Sequence, residues 1–286
     1  RLGEALKRVD CTLAAVAVEE ARLILDAGQG RHSEAILSAE ILATLQQALG
    51  EPEREARFLK LAAGLAIQAG DWASAERRYA VATRLIMASR NPFLIRSLLG
   101  ERLASLNLHR ETAQVPLLEA AFRDALDVLS EPGDRVWLLV LRSEMRAGRG
   151  QDARPDFQEA RQLARRQGSP RLEAWALEAE SRAEARAGRL ERACELTRQA
   201  LARVAHLPPS TPDDALSLNL ARLQRSLAVN LQSQARFSDA EAALRSALSD
   251  PLLEDWPEER VRNWQALLSL GLAASRLALA QEALEG

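Results

Sequence analysis

Small and large apolar residues recur along this chain at fixed distances from a repeated turn. A small residue is followed by Ala five positions later at Gly30–Ala35, Gly70–Ala75, Gly148–Ala153, Gly188–Ala193 and Ala235–Ala240, with a degraded copy at Leu108–Ala113. Counted from the same turns, Trp72, Leu190 and Phe237 occupy the second position, and Tyr79, Leu117, Phe157 and Leu244 the ninth. Alanines Ala82, Ala120, Ala160, Ala200 and Ala247 occupy the twelfth. Self-similarity at a period near 40 residues is the signature of a repeat architecture.

Prolines keep the same beat at Pro52, Pro92, Pro132, Pro170, Pro212 and Pro257. Each suits the first turn of a helix, where the missing N–H is not needed. Proline to turn is therefore one helix, A, and turn to next proline a second, B, starting near Ser74, Asp152, Glu191 and Asp239. The small residue at the fifth position lets A and B approach, the large one at the ninth fills their groove, and Ala at the twelfth admits the next repeat. No segment alternates β-branched residues between hairpin turns, so the fold is all-α. The 47% apolar content supplies a continuous core, and the 4% aromatic content means that Ala and Leu must build it.

This order of small, aromatic and alanine positions resembles the tetratricopeptide repeat over nearly the whole chain. The Trp and Leu-Gly positions of the family's helix A are poorly kept, and the period exceeds the family's usual length. The long period is similar to that of the superhelical sensor modules of bacterial transcription activators. The resemblance implies a right-handed α-solenoid of tandem helix-turn-helix repeats, one domain over residues 1–286. About six helix pairs with partial terminal repeats are expected, with a bend at 206–212 before a long sixth helix A from Asp213 to about Gln234. Arg1 to Ala5 matches the stretch after a turn. Trp256 to Ser275 reads as a helix A whose partner is barely begun by Ala283, leaving Leu267, Leu268, Leu270 and Leu272 uncovered. A piece of a longer protein, or an end buried in an oligomer, is the expectation.

Candidate chemistry is sparse. His32, His109 and His206 fall singly at turns, whereas a metal site needs converging ligands. Gly28-Gln29-Gly30 and Gly148-Arg149-Gly150 follow no strand and read as turn glycines rather than a dinucleotide fingerprint. Cys11 and Cys194 read as small buried hydrophobes. No enzyme site, metal or cofactor is expected. The formal net charge of −2 and the scarcity of aromatics argue against direct nucleic-acid binding. No apolar run approaches the ~20 residues of a membrane span, and a cytoplasmic location is expected.

Arginines carry the remaining signal. Six residues before the turn lie Arg102, Arg142 and Arg182, spaced 40 apart; two before it lie Arg146 and Arg186. Arg57, Lys60, Arg135, Arg222 and Arg225 fall ten or thirteen before it. In tetratricopeptide arrays helix A lines the inner wall, so the resemblance places these residues in a basic groove. Planar guanidinium groups there would suit the carboxylates of an acidic peptide or partner protein. Asn219, Gln224, Asn230, Gln232 and Gln234 would be available to clamp its backbone. The other reading is a solvated, Arg-rich face, with Glu178 beside Arg182 at i,i+4 and Glu144 and Glu184 near the ladder. Three functions follow: an interaction module with an acidic partner, a ligand-sensing domain of a larger regulator, or an oligomerisation scaffold using its terminal helices.

Overall fold

One backbone device ends most of the helices. In a computed structural model, which describes residues 2–109, 114–205, 207, 220–254 and 256–285, a left-handed residue follows the helix and the next N–H reaches back five positions. Asp71 donates to the Ala66 carbonyl at 2.8 Å, Arg189 to that of Glu184 at 2.9 Å and Arg236 to that of Leu231 at 3.0 Å. This is the Schellman cap, which glycine serves without steric cost. Gly70 and Gly188 take φ of +81° and +77°, but Ala235 and Ser275 take the same conformation at +58° and +56°. At these turns the next helix begins two residues on, at Trp72, Leu190, Phe237 and Leu277.

Contacts divide the chain into two units, Arg1–Ser130 and Glu131–Gly286. The first holds α1 (Leu2–Gly28), α2 (His32–Ala48), α3 (Pro52–Gln68), α4 (Trp72–Ser89), α5 (Pro92–His109) and α6 (Val115–Val128). The second holds α7 (Pro132–Ala147), α8 (Arg154–Arg166), α9 (Pro170–Arg186), α10 (Leu190–Val204), α11 (Leu220–Ser233), α12 (Phe237–Leu248), a 3-10 turn at Pro251–Glu254, α13 (Pro257–Ala273) and α14 (Leu277–Glu285). Each unit stacks antiparallel pairs, odd-numbered helices in role A and even-numbered in role B. The fold is an all-α solenoid, with no strand among the described residues.

The small-and-large pattern is the core. Ala35, Ala75, Ala153, Ala193 and Ala240 are buried, as are Tyr79, Phe157 and Leu244 and then Ala82, Ala160, Ala200 and Ala247. Close-packed interiors depend on such complementary volumes. In the first unit Val16 and Leu23 of α1 join Ala35, Ala39, Leu42, Ala62 and Leu65; in the second Cys194, Leu231 and Leu244 join Leu267, Leu270 and Leu279.

Three expectations need correction. In the third pair Leu117 is exposed and Ala120 half-buried, while Leu118, Ala121, Phe122 and Ala125 are buried. Helix α5 continues through His109, so the phase slips by one residue. In the fourth pair Gly148 is helical, and the left-handed residue is Gly150 at φ +69°; α8 starts four residues later. At the end α13 has a partner, α14, and Leu267 and Leu270 are buried while Leu272 stays exposed. The proposed bend at 206–212, apart from Leu207, and the first part of the sixth helix A lie outside the described residues.

Candidate functional site

The 40-residue arginine series occupies three different environments. Arg102, on α5, is buried against α4 and donates from Nη2 to both Glu76 carboxylate oxygens at 2.8 and 3.0 Å. Its guanidinium lies 5.2 Å from the Tyr79 ring centroid. Burial is the largest influence on both neighbours: it raises the Glu76 carboxyl despite Arg102, and pushes the Tyr79 hydroxyl up to about 12. Arg142, on α7, turns to its own partner α8 and donates from Nε and Nη2 to the two oxygens of buried Asp156, both at 2.8 Å. Arg146 adds a third bond to Asp156 at 3.0 Å. Arg182, on α9, spans Glu144 of α7 at 2.6 Å and Glu178 of its own helix at 2.7 Å. Burial alone would lower the Arg182 pKa, but the two carboxylates raise it and hold the guanidinium charged.

The rest of the series is also paired, with two exceptions. Lys60 joins Glu101 at 2.6 Å and Ser97 at 2.8 Å. Arg135 faces Glu159 at 3.7 Å, Arg222 reaches Glu178 at 3.1 Å, and Arg225 meets Glu259. Burial would raise the Glu259 carboxyl, yet Arg225 and Arg262 bring it below its ordinary value. Many of these pairs join residues about one repeat apart: Lys60 and Glu101 are separated by 41 positions, Arg182 and Glu144 by 38, Arg222 and Glu178 by 44. The basic series is therefore chiefly a set of ties between neighbouring helices. Arg57 and Arg186 have no carboxylate partner among the described residues.

Arg186 stands at an open groove between α9 and α11. A cavity of about 320 Å³ is lined by Ser181, Arg182, Ala185, Arg186, Arg225, Ser226, Val229 and Asn230. Ala185 and half-exposed Val229 supply apolar surface, and the three arginines surround it. Arg186 Nε donates to the carbonyl of Arg182 at 3.3 Å, and the residue is exposed. Helix α9 presents these groups together because Arg182 and Arg186 are one turn apart on one face.

The amide side chains mostly do not clamp. Asn230 is buried and donates to Ser181 Oγ at 3.2 Å; Ser181 and Thr197 share a bond at 2.8 Å. Gln224 turns to Ser246 at 2.7 Å, and Gln234 to the Cys194 sulfur at 3.3 Å. Gln232 is half-buried, and Asn219 lies outside the described residues. Cys194 is buried, with its thiol pKa raised by burial, but Cys11 is exposed, contrary to expectation. His32 starts α2; His206 and the His109 side chain lie outside the described residues. Among the described residues no group of three or more His, Cys, Asp or Glu is placed to hold a metal ion. No helix among them is long and apolar enough to cross a membrane.

Helix pairs, Schellman turns and alanine-lined contacts define a tetratricopeptide-like helical repeat. Solved structures agree on this fold. BtubC (BKLC) from P. vanneervenii superimposes with a TM-score of 0.52 at 18% identity, covering 74% of this chain and 86% of that one. A signal transduction ATPase with numerous domains and a tetratricopeptide repeat sensor, from Pyrococcus horikoshii, gives 0.51 at 14% identity, covering 91% of this chain and 44% of that one. This chain thus spans less than half of the ATPase. No protein-family model and no curated protein matches the sequence.

Proposed function

We propose that the chain is a non-enzymatic protein-interaction module in which an acidic, extended peptide segment docks between α9 and α11. The observation that carries this reading is the α9–α11 groove, where an apolar patch adjoins Arg186, the one basic group of its wall with no carboxylate of its own. A cavity of this size accepts a few side chains. An aliphatic residue would cover Val229, and flanking carboxylates would meet Arg186 and the outer edges of Arg182 and Arg225. The groove takes its charge from fixed helical positions, so little ordering is needed on binding.

The test is fluorescence anisotropy with labelled peptides of matched length, one Glu/Leu-rich and one Lys/Leu-rich. Binding of the acidic peptide alone, weakened by added salt, supports the proposal. Equal binding of both peptides, or of neither, overturns it.

A second reading has one observation behind it: the fold is similar to that of part of the P. horikoshii ATPase, a protein with a tetratricopeptide repeat sensor. In that reading the same groove takes a regulatory ligand for a larger signalling protein. A nucleotide-binding or helix-turn-helix segment in the surrounding polypeptide would favour it.

A further inference from the structure

The fourth helix pair lacks one side chain that the second, fifth and sixth have. Counted from the turn, their second position holds Trp72, Leu190 and Phe237, and each opens its helix B. Phe237 packs on a core that includes Leu267 and Leu270 of α13, the next helix A. In the fourth pair Ala153 and Phe157 keep the fifth and ninth positions after Gly148 and are buried. The left-handed turn residue, however, has moved two positions along, to Gly150. Gly150 therefore occupies the second position itself. Its φ of +69° favours glycine, and a Cβ there would have nothing within 4 Å.

The missing side chain leaves a socket of about 260 Å³ between the start of α8 and the end of α9. Ala153, Phe157, Ala183 and Ala187 give it apolar walls, and exposed Gln151, Asp152, Arg154 and Arg189 stand at its mouth. Glu184, also in the wall, is neutralised by Arg189, which donates to it from Nε. The corresponding space in the second pair is bounded by Trp72, Ala75 and Tyr79 of α4 and by Ser105 and Leu106 of α5, and measures about 10 Å³. That is room for no more than about one water. The two sites have the same framework, and they differ in whether the second position carries a side chain.

We propose that the socket receives an aromatic side chain, tryptophan above all, from a segment of a partner protein. The chain itself supplies the template, since Trp72 adjoins Ala75 and Tyr79 where the socket offers Ala153 and Phe157. Alanine walls accept a flat ring, and Phe157 offers it an aromatic neighbour. The guanidinium groups at the mouth suit a ring face. Because the mouth is exposed, the partner's main chain can pass across it while one residue enters. A buried aromatic anchor of this kind carries much of the energy of a protein contact. The socket shares no lining residue with the α9–α11 groove and calls for no acidic partner, so it goes beyond the reading given for that groove.

The experiment is nuclear magnetic resonance of the whole chain, labelled at its alanine methyl groups and titrated with N-acetyl-tryptophanamide. Saturation with a Kd of about 1 mM is expected, with the methyls of Ala153, Ala183 and Ala187 shifting and that of Ala75, beside Trp72, unmoved. Ala187→Leu, at an exposed position of the wall, should weaken binding at least ~10-fold with the melting temperature unchanged. Arg186→Glu should leave it unchanged, which separates this site from the acidic-peptide groove. No saturation up to about 10 mM, equal binding of N-acetyl-alaninamide, or shifts confined to other alanines overturn the proposal. So does an affinity indifferent to Ala187→Leu. Free tryptophan binding more tightly than its capped amide overturns a partner's side chain as the occupant.

Discussion

Helices α9 and α1 play the same part in their units, yet they use polar residues in opposite ways. Helix α9 buries Glu173, Glu178, Glu180 and Glu184, and each has an arginine: Arg165 at 2.6 Å, Arg222 at 3.1 Å, Arg161 at 3.4 Å and Arg189. The buried side chains of α1 among those described are Val16 and Leu23, both apolar. Two alanine-lined helices can slide past each other, whereas a buried carboxylate accepts only the register that brings its arginine. Ion pairs of this kind add little net stability, but a mismatch costs several kcal/mol, so they select neighbours. The difference teaches that α9 is placed by buried charge, whereas α1 is placed on α2 and α3 by apolar shape.

The strongest way to break this distinction is to remove one carboxylate. Asp156→Ala strands Arg142 and Arg146 and should cost about 3 kcal/mol in urea unfolding. Leu25→Ser on the exposed side of α1 should stay within about 0.5 kcal/mol. Comparable losses would mean that the exposed face of α1 contributes to the fold as much as the buried charges do.

Turns give a smaller contrast. Ala235 holds a left-handed conformation that glycine holds at Gly70. Ala235→Gly should stabilise by about 1 kcal/mol, and Gly70→Ala destabilise by a similar amount. Thermal melts of the two variants should move in opposite directions; parallel shifts would remove the shared turn geometry.

The smallest effect is a pH dependence on α9. Burial raises the Glu180 carboxyl above 4.5. A carboxyl so raised contributes stability that is fully present below its unfolded pKa and lost as the pH climbs through the folded one. Glu180→Gln should therefore gain on the unaltered protein between pH 4 and pH 7, by urea midpoints at each pH. An advantage that shrinks over that range would contradict the assignment.

Helix pairs were legible from residues such as Pro170, Gly188 and Ala193, because turns and close contacts depend on local chemistry. The arginine series was legible only as a spacing. Equal spacing gives equal direction only if every turn has the same length, and the turns after α5 and α7 do not. Arg102, Arg142 and Arg182 consequently face α4, α8 and α7 in turn. Glu178 beside Arg182 was visible as an i,i+4 pair, but its link to Arg222 crosses 44 positions and exists only through packing.

The decisive measurement sets a paired arginine against an unpaired one in acidic-peptide titrations. Arg186→Glu should weaken binding about 100-fold, or about 2.7 kcal/mol, with the melting temperature unchanged. Arg142→Met should lower the melting temperature and leave the affinity of the folded protein intact. Affinity lost equally in both, or in neither, would contradict the division between arginines that hold the fold and the arginine that meets a partner.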